Sequence, residues 1–334
     1  MFTNGTQVVS GSRILVVRLG ALGDIIHTLP AVASLKHSFP GSRLTWVVEP
    51  RWAPLVEGNP FVDRVAVLQR GSLAGIWQSC RALRAERYDR AVDFQGLIKS
   101  ALTASVARPE RIFGYHQSQA REKWAALFYS DKVTARAAHV VDRHLELAAA
   151  AGASNIVRKF PLPPGRQESA LPEGPFVLAC PLAGWRSKQW PLEYYGELAA
   201  RLRQELGVTM VVDGPPEALD AFTGLDAAFR HFSGLRGLIY AIRQAAAVVG
   251  GDSGPIHLAA ALAKPGVAIF GPTDPARNGP YGDSLTVLRS PGTATSYKRR
   301  SAIDPGMYAI TPERVFEALK VHLTPRPRSA DCLA

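Results

Sequence analysis

Cysteine is nearly absent. Three residues, Cys80, Cys180 and Cys332, are scattered through 334 positions, which excludes a disulfide framework and a Cys-x-x-Cys zinc site and fits a reducing compartment. No stretch of the chain approaches the roughly 18 consecutive apolar residues of a membrane span. The start, MFTNGTQVVSGSRILVV, lacks the basic first residues and apolar core of a signal peptide, so a cytoplasmic protein is expected. His-Glu-x-x-His, Asp-x-Asp and clustered cysteines are all missing, and neither a dedicated metal site nor a resident cofactor is expected. Acidic residues are in deficit. With 28 Asp+Glu against 39 Lys+Arg the formal charge is +11, which favours anionic partners. The basic residues are dispersed (Arg81, Arg84, Arg87, Arg90; Lys298, Arg299, Arg300) and no nucleic-acid module is recognisable. An anionic membrane surface or a phosphorylated substrate is therefore expected in preference to nucleic acid.

What is present is alternation. RILVV (Arg13 to Val17), a helical run from Ile25 to Phe39 and LTWVV (Leu44 to Val48) form a β-α-β unit. RVAVL, a helix over Leu73 to Glu86, DRAVDF, a helix over Leu97 to Val106 and RIFGY continue it, with helical stretches near Arg121 to Tyr129 and His139 to Ala151. Between Phe160 and Pro175 the composition is that of a linker. A second series follows: FVLAC, a helix after Pro191, VTMVVD, a short helix, a helix over Leu235 to Ala245, AVVGG, a helix from Pro255 and GVAIF. At 47% apolar and 20% charged residues, each half can bury its own core. The expectation is an α/β protein of two doubly wound, Rossmann-like domains, 1–165 and 174–310, facing across a cleft. A final helix over 311–324, capped by Thr311 and started by Pro312, is expected to pack back toward the first domain.

Two turns carry candidate chemistry. Gly251-Asp252-Ser253-Gly254 lies between a strand and a helix N-terminus, where unpartnered N–H groups and the helix dipole suit a phosphate held by Ser253 and Gly254. The same four residues look like a serine-protease nucleophile segment, but that chemistry belongs to all-β barrels. Pro255 also rules out the Gly-x-Ser-x-Gly elbow. A purely structural turn is the main competitor. In the first half, Arg18-Leu19-Gly20-Ala21-Leu22-Gly23-Asp24 fills the first strand-to-helix turn. A dinucleotide fingerprint needs glycine where Arg18 stands, although Glu49 falls where a ribose-binding acid would, so a nicotinamide-dependent oxidoreductase stays open as an alternative. Asp24 reads as an N-cap or first-turn charge, or as a carboxylate that takes a proton from an attacking sugar hydroxyl. His27 and His257, one turn into their helices, read as packing residues before metal ligands.

Five blocks together resemble the lipopolysaccharide heptosyltransferases, glycosyltransferase family 9. They are Gly23-Asp24-Ile25-Ile26-His27-Thr28-Leu29-Pro30, Asp93-Phe94-Gln95-Gly96-Leu97-Ile98-Lys99-Ser100, Lys188-Gln189-Trp190-Pro191, Asp252-Ser253-Gly254-Pro255-Ile256-His257-Leu258 and Phe270-Gly271-Pro272-Thr273-Asp274-Pro275. The block from Gln95, with Ala120-Arg121-Glu122, is more similar to the type I enzymes than to type II. The resemblance implies a GT-B fold and an inverting, metal-independent transfer from ADP-heptose to Kdo of Kdo-lipid A, at the inner face of the inner membrane. It makes Asp24 the general base, with Gly23, Lys99 and Arg121 toward the acceptor. Lys188, Glu217, Asp252, Ser253, Gly254 and His257 fall toward the donor. Pro181 to Ser187 departs from the threonine-containing turn of the type I enzymes, and Ser253 stands where many relatives have threonine. Type II activity or another glycan acceptor remains an alternative.

Overall fold

The computed structural model describes residues 11–222 and 225–324. The expectations placed on the first ten residues and on the tail with Cys332 lie outside them. Contacts divide the chain into two compact units, the first running to Pro164 and taking in Ala276–Asn278, the second beginning at Gly165.

In the first unit the elements are β1 (Arg13–Val17), α1 (Leu22–Ser38), β2 (Arg43–Val48), β3 (Arg64–Val67), α2 (Leu73–Arg84), β4 (Arg90–Asp93), α3 (Ile98–Val106), β5 (Arg111–Tyr115), β6 (Asp131–Val133) and α4 (Val140–Ala150). The strands form one parallel sheet of order β3-β2-β1-β4-β5-β6. The second unit holds β7 (Phe176–Cys180), α5 (Leu192–Leu206), β8 (Thr209–Gly214), β9 (Phe229–Phe232), α6 (Leu235–Gln244), β10 (Ala247–Gly251), α7 (Gly254–Ala261), β11 (Gly266–Phe270), the first residue of α8 (Pro275–Asn278), β12 (Leu285–Arg289), α9 (Pro305–Tyr308) and α10 (Pro312–Leu323). Its parallel sheet runs β12-β11-β10-β7-β8-β9. Read from its own first strand, each sheet has the same order. In each, the chain reverses direction across the sheet between the first and fourth strands, β1 and β4 or β7 and β10, and ligands bind beyond the carboxyl ends at such a point.

The central strands are continuous apolar runs because helices cover both faces of a parallel sheet. Ile14 to Val17 and all of β7, β10 and β11 are buried. Two aromatic anchors hold the crossovers: Trp46 donates its indole N–H to Arg18 O at 3.1 Å and Trp190 to Ile310 O at 2.7 Å, both rings fully buried. Burying such a ring is worth several kcal/mol, roughly 3–5 on truncation to alanine. Local signals set the helix ends. Ser72 accepts from Gly75 N before α2 and Thr311 from Arg314 N before α10, and Gly207 takes the left-handed conformation that ends α5.

Three differences from the sequence expectation are instructive. The outer strands β6, β9 and β12 were not foreseen; they are short or polar and exist because a neighbouring strand supplies their hydrogen bonds. The stretch near Arg121 to Tyr129 is a brief 3-10 turn, Lys123–Phe128, ended because Tyr129 goes extended and its hydroxyl reaches Asp93 at 2.7 Å. Helix α10 packs on α5 and β11, with Val315, Phe316 and Leu319 in the core of the second unit. Part of the expected linker is also docked. Arg166 N donates to Arg236 O, and Glu168 accepts from Gly234 N at the start of α6.

Candidate functional site

In the first unit, register sets the geometry. Val17 pairs with Val47 on one side and with Asp93 on the other, so the turn after β1 emerges beside the turn after β4. Leu19 N donates to Gln95 Oε1 at 2.8 Å, and Arg18 Nη1 donates to Phe94 O. Asp93 holds its own loop, accepting from Gln95 N, Gly96 N, Ser100 Oγ and Tyr129 OH. The Arg18 guanidinium, fixed in this way and buried, reaches Asp24 Oδ1 at 2.7 Å. Arg121 Nη1 and Ala21 N approach Asp24 Oδ2 at 3.4 and 3.3 Å. Gly23 precedes Asp24 in the first turn of α1.

Asp24 retains 32% of its side-chain exposure. Desolvation is the largest influence on it and pushes its pKa up. The charges of Arg18 and Arg121 and the Ala21 N–H outweigh that and hold it below the usual carboxylate value. At neutral pH it is an anion with one oxygen clamped and the other loosely held.

Lys99 is not beside Asp24. It lies 3.6 Å from Glu49, which also pairs with Arg70 at 2.8 Å and Arg51 at 4.0 Å. Glu49 and these arginines border a pocket of about 340 Å³ beyond β2 and β3. Arg18 fills the turn where a dinucleotide pyrophosphate needs glycine, and Glu49 is engaged by three cations, so the nicotinamide alternative loses both of its anchors.

At the reversal point of the second unit, Asp252 follows β10 and Lys188 follows β7. The two loops touch because position 251 has no side chain: a Cβ there would lie 2.4 Å from Lys188 O. Asp252, only 4% exposed, accepts from Lys188 Nζ and Thr273 Oγ1, both at 2.6 Å, and its Oδ1 lies 3.1 Å from His257 Nε2. Burial works against its ionisation, but His257 and Lys188 overcome it and drive the carboxyl far below the ordinary range. His257 therefore pairs with Asp252, and the Ser253 hydroxyl is not hydrogen-bonded to it, as a serine-protease nucleophile would need. Lys188 keeps 16% exposure, with its ammonium 4.4 Å from the Trp185 ring. Ser253 begins α7 with extended backbone and makes no side-chain cap bond, and its buried Oγ has no hydrogen-bond partner among the described residues. Pro255 has no N–H and the N–H groups of Ile256 and His257 donate to Ser253 O, so the orphaned hydroxyl and the Gly254 N–H are the donors this helix start presents to an anion. Glu217 lies exposed in the turn after β8, one strand from β7, and makes no bond to the Asp252 cluster. Among the described residues no three His, Cys, Asp or Glu are placed to hold a metal ion, and no helix is long and apolar enough to cross a membrane.

Arg18, Gln95 and Thr273 were not foreseen as site residues. Arg18 carried a signal, a charged residue inside an otherwise apolar turn after a buried strand. Gln95 and Thr273 stood inside noted blocks, and only the fold shows what they touch.

Two Rossmann-like units, one with an ionised carboxylate and the other with an anion-ready helix start, each at the reversal point of its own sheet, define a GT-B glycosyltransferase. Residues 76–305 match glycosyltransferase family 9 (heptosyltransferase), and the chain belongs to that family. It is 31% identical to lipopolysaccharide heptosyltransferase 1 of Escherichia coli O18:K1:H7, over 87% of this chain and 95% of the relative. It is 29% identical to lipopolysaccharide heptosyltransferase 2 of Salmonella typhimurium, over 92% and 97%. Among solved structures it is similar to E. coli heptosyltransferase WaaC with ADP, at TM-score 0.74, 28% identity and coverage of 93% and 99%. The similarity to E. coli ADP-heptose lps heptosyltransferase II has TM-score 0.75, 25% identity and coverage of 93% and 98%.

Proposed function

We propose that the chain transfers heptose from ADP-heptose to the Kdo of Kdo-lipid A with inversion at the anomeric carbon, acting from the cytoplasmic face of an anionic membrane. The observation that carries this reading is Asp24: an ionised, partly open carboxylate at the reversal point of a sheet, held by two arginines.

The acceptor hydroxyl attacks the anomeric carbon as the bond to the diphosphate oxygen breaks. ADP departs with the bonding electrons, and the hydroxyl proton passes to Asp24 Oδ2. An alcohol is a far weaker acid than a carboxylic acid, so the proton moves late, once the new C–O bond has made the oxygen acidic. Arg18 keeps Asp24 ionised and aimed, while Arg121 and, beyond it, Lys99 suit acceptor carboxylates or phosphates. In the second unit, Asp252 fixes Lys188 so that its ammonium, the Ser253 hydroxyl and the Gly254 N–H meet the diphosphate. Fixed donors aimed at developing charge are worth roughly 3 kcal/mol each. Glu217 suits the ribose hydroxyls of the same nucleotide. The 31% identity to heptosyltransferase 1 relatives supports the Kdo acceptor, and the 29% identity to heptosyltransferase 2 keeps a heptose acceptor as the second reading.

The test is incubation of purified protein with ADP-heptose and Kdo-lipid A, heptosylated Kdo-lipid A or no acceptor, followed by lipid mass analysis and ADP release. A one-heptose gain on Kdo-lipid A, abolished by Asp24→Asn, is expected. Gain only on the heptosylated lipid moves the assignment to the second reading, and no turnover with any acceptor contradicts both.

A further inference from the structure

The connections from β3 to β4, β4 to β5 and β5 to β6 all step the same way across the first sheet, so right-handed crossovers place them on one face. Accordingly α2, α3 and the Lys123–Phe128 turn pack side by side. This layer is inverted in character. Helix α2 buries only Ser79 and Leu83, while Leu73, Ile76 and Trp77, spaced as one helical stripe, point outward. Leu102 on α3 and Trp124 and Leu127 on the turn extend the stripe. These six are more than half of the eleven large hydrophobics exposed among the described residues, and Leu73, Trp77 and Leu127 are 86%, 64% and 71% exposed.

The charges on this face have one sign. No acidic residue occurs in α2, α3 or the turn, whereas Arg81, Arg84, Lys99 and Lys123 do. The flanking Glu86 and Glu122 are engaged, by Arg64 and by Ile98 N. Arg81 lies 5.4 Å from the Trp77 ring and Lys123 4.8 Å from that of Trp124. Each exposed hydrophobic patch also begins three residues after a cation of the strand-end rim: Arg70 before Leu73, Lys99 before Leu102, Arg121 before Trp124. Arg121 is the residue that contacts Asp24.

We propose that this face, α2 with α3 and the Lys123–Phe128 turn, is the surface by which the protein docks on an anionic lipid bilayer. Tryptophan rings and aliphatic tips enter the interface, while arginine and lysine heads stay at headgroup level. Asp24 is then brought close to the membrane plane, where the polar end of a lipid-linked acceptor is presented. The proposal rests on the preceding reading only for that acceptor; the docking itself follows from the face.

The experiment is vesicle co-sedimentation of the full chain, with phosphatidylcholine alone and with about one third phosphatidylglycerol. Wild type and the combined Trp77→Gln, Trp124→Gln, Leu127→Gln variant are compared. Wild type should bind the anionic vesicles about tenfold better than the zwitterionic ones, and the variant should lose about tenfold on them. Transfer to a deacylated, water-soluble acceptor should stay within about twofold in the variant, which shows that it folds. Asp24→Asn should sediment as wild type does, so that docking is read even where transfer fails. Equal sedimentation of variant and wild type, or no wild-type binding to either vesicle, overturns the proposal. A dimer of wild type that the variant dissolves in size-exclusion chromatography assigns the face to a second copy and overturns it also.

Discussion

Asp24 and Asp252 both lie at the carboxyl ends of the strands where the chain reverses across its sheet, but on opposite flanks of that point: Asp24 in the helix after the first strand, β1, and Asp252 directly after the fourth, β10; each is ionised against the pull of burial. Their surroundings differ. Asp252 is almost wholly enclosed, and two of its partners sit at 2.6 Å, so both oxygens are committed within the protein. Asp24 has one short contact, to Arg18 at 2.7 Å, and its Oδ2 has only partners at 3.3 and 3.4 Å, beyond the range of a good N–H···O bond. One carboxylate is a fixture that positions a lysine. The other has an oxygen available to receive a proton. A carboxylate in a site therefore acquires its role from the tightness of its contacts, not from its sequence motif.

The largest effect on turnover expected from this comparison is at Asp24: the Asp24→Asn protein should lose about a thousandfold in kcat, measured by ADP release. Asp252→Ala should do the reverse in kind, unfolding the second unit by roughly 3–5 kcal/mol in denaturant titration, because Lys188 and His257 lose a buried counter-charge. Lys188→Ala removes one fixed donor and should cost about a hundredfold in kcat/KM for the nucleotide sugar. Arg121→Gln is the mildest, about tenfold or less on transfer, since that pair is long and half exposed.

The pH dependence separates the two carboxylates again. Asp24 titrates below 3.8, so transfer should be flat as pH falls from neutral and fail only in the carboxylate range. Arg121→Gln should move that acid limb to higher pH. For stability, Asp252 has a folded pKa below its unfolded value of 3.8; its contribution is present above 3.8 and is lost as pH falls toward the folded value. Wild type and Asp252→Asn should therefore converge in stability in strong acid and diverge above it, as read by acid denaturation monitored by circular dichroism. Parallel curves would remove the ion-pair account of the cluster.

Much of this was legible in the sequence for physical reasons. Buried parallel strands are apolar runs, and the glycine turns after β1 and β10 mark reversal points, so the class and the two aspartates could be named. What sequence could not supply was partnership. That Asp252 is bonded to Lys188, Thr273 and His257, 64, 21 and 5 residues away in the chain, is seen only in the fold. Arg18 looked like a defect in a dinucleotide turn and is the clamp on Asp24. The outer strands β6 and β9 carry residues such as Asp131, Lys132 and Arg230, whose extended form depends on a neighbour and not on pattern. The apolar stripe of α10 says that the helix packs; that it does so on α5 and β11 is seen only in the fold.

Calorimetric titration of ADP-heptose into wild type, Asp24→Asn and Lys188→Ala tests the division of labour most directly. The account predicts that Asp24→Asn binds within about twofold of wild type while Lys188→Ala binds at least about tenfold more weakly. Loss of binding in Asp24→Asn with retention in Lys188→Ala would contradict it, placing the nucleotide sugar on the first unit.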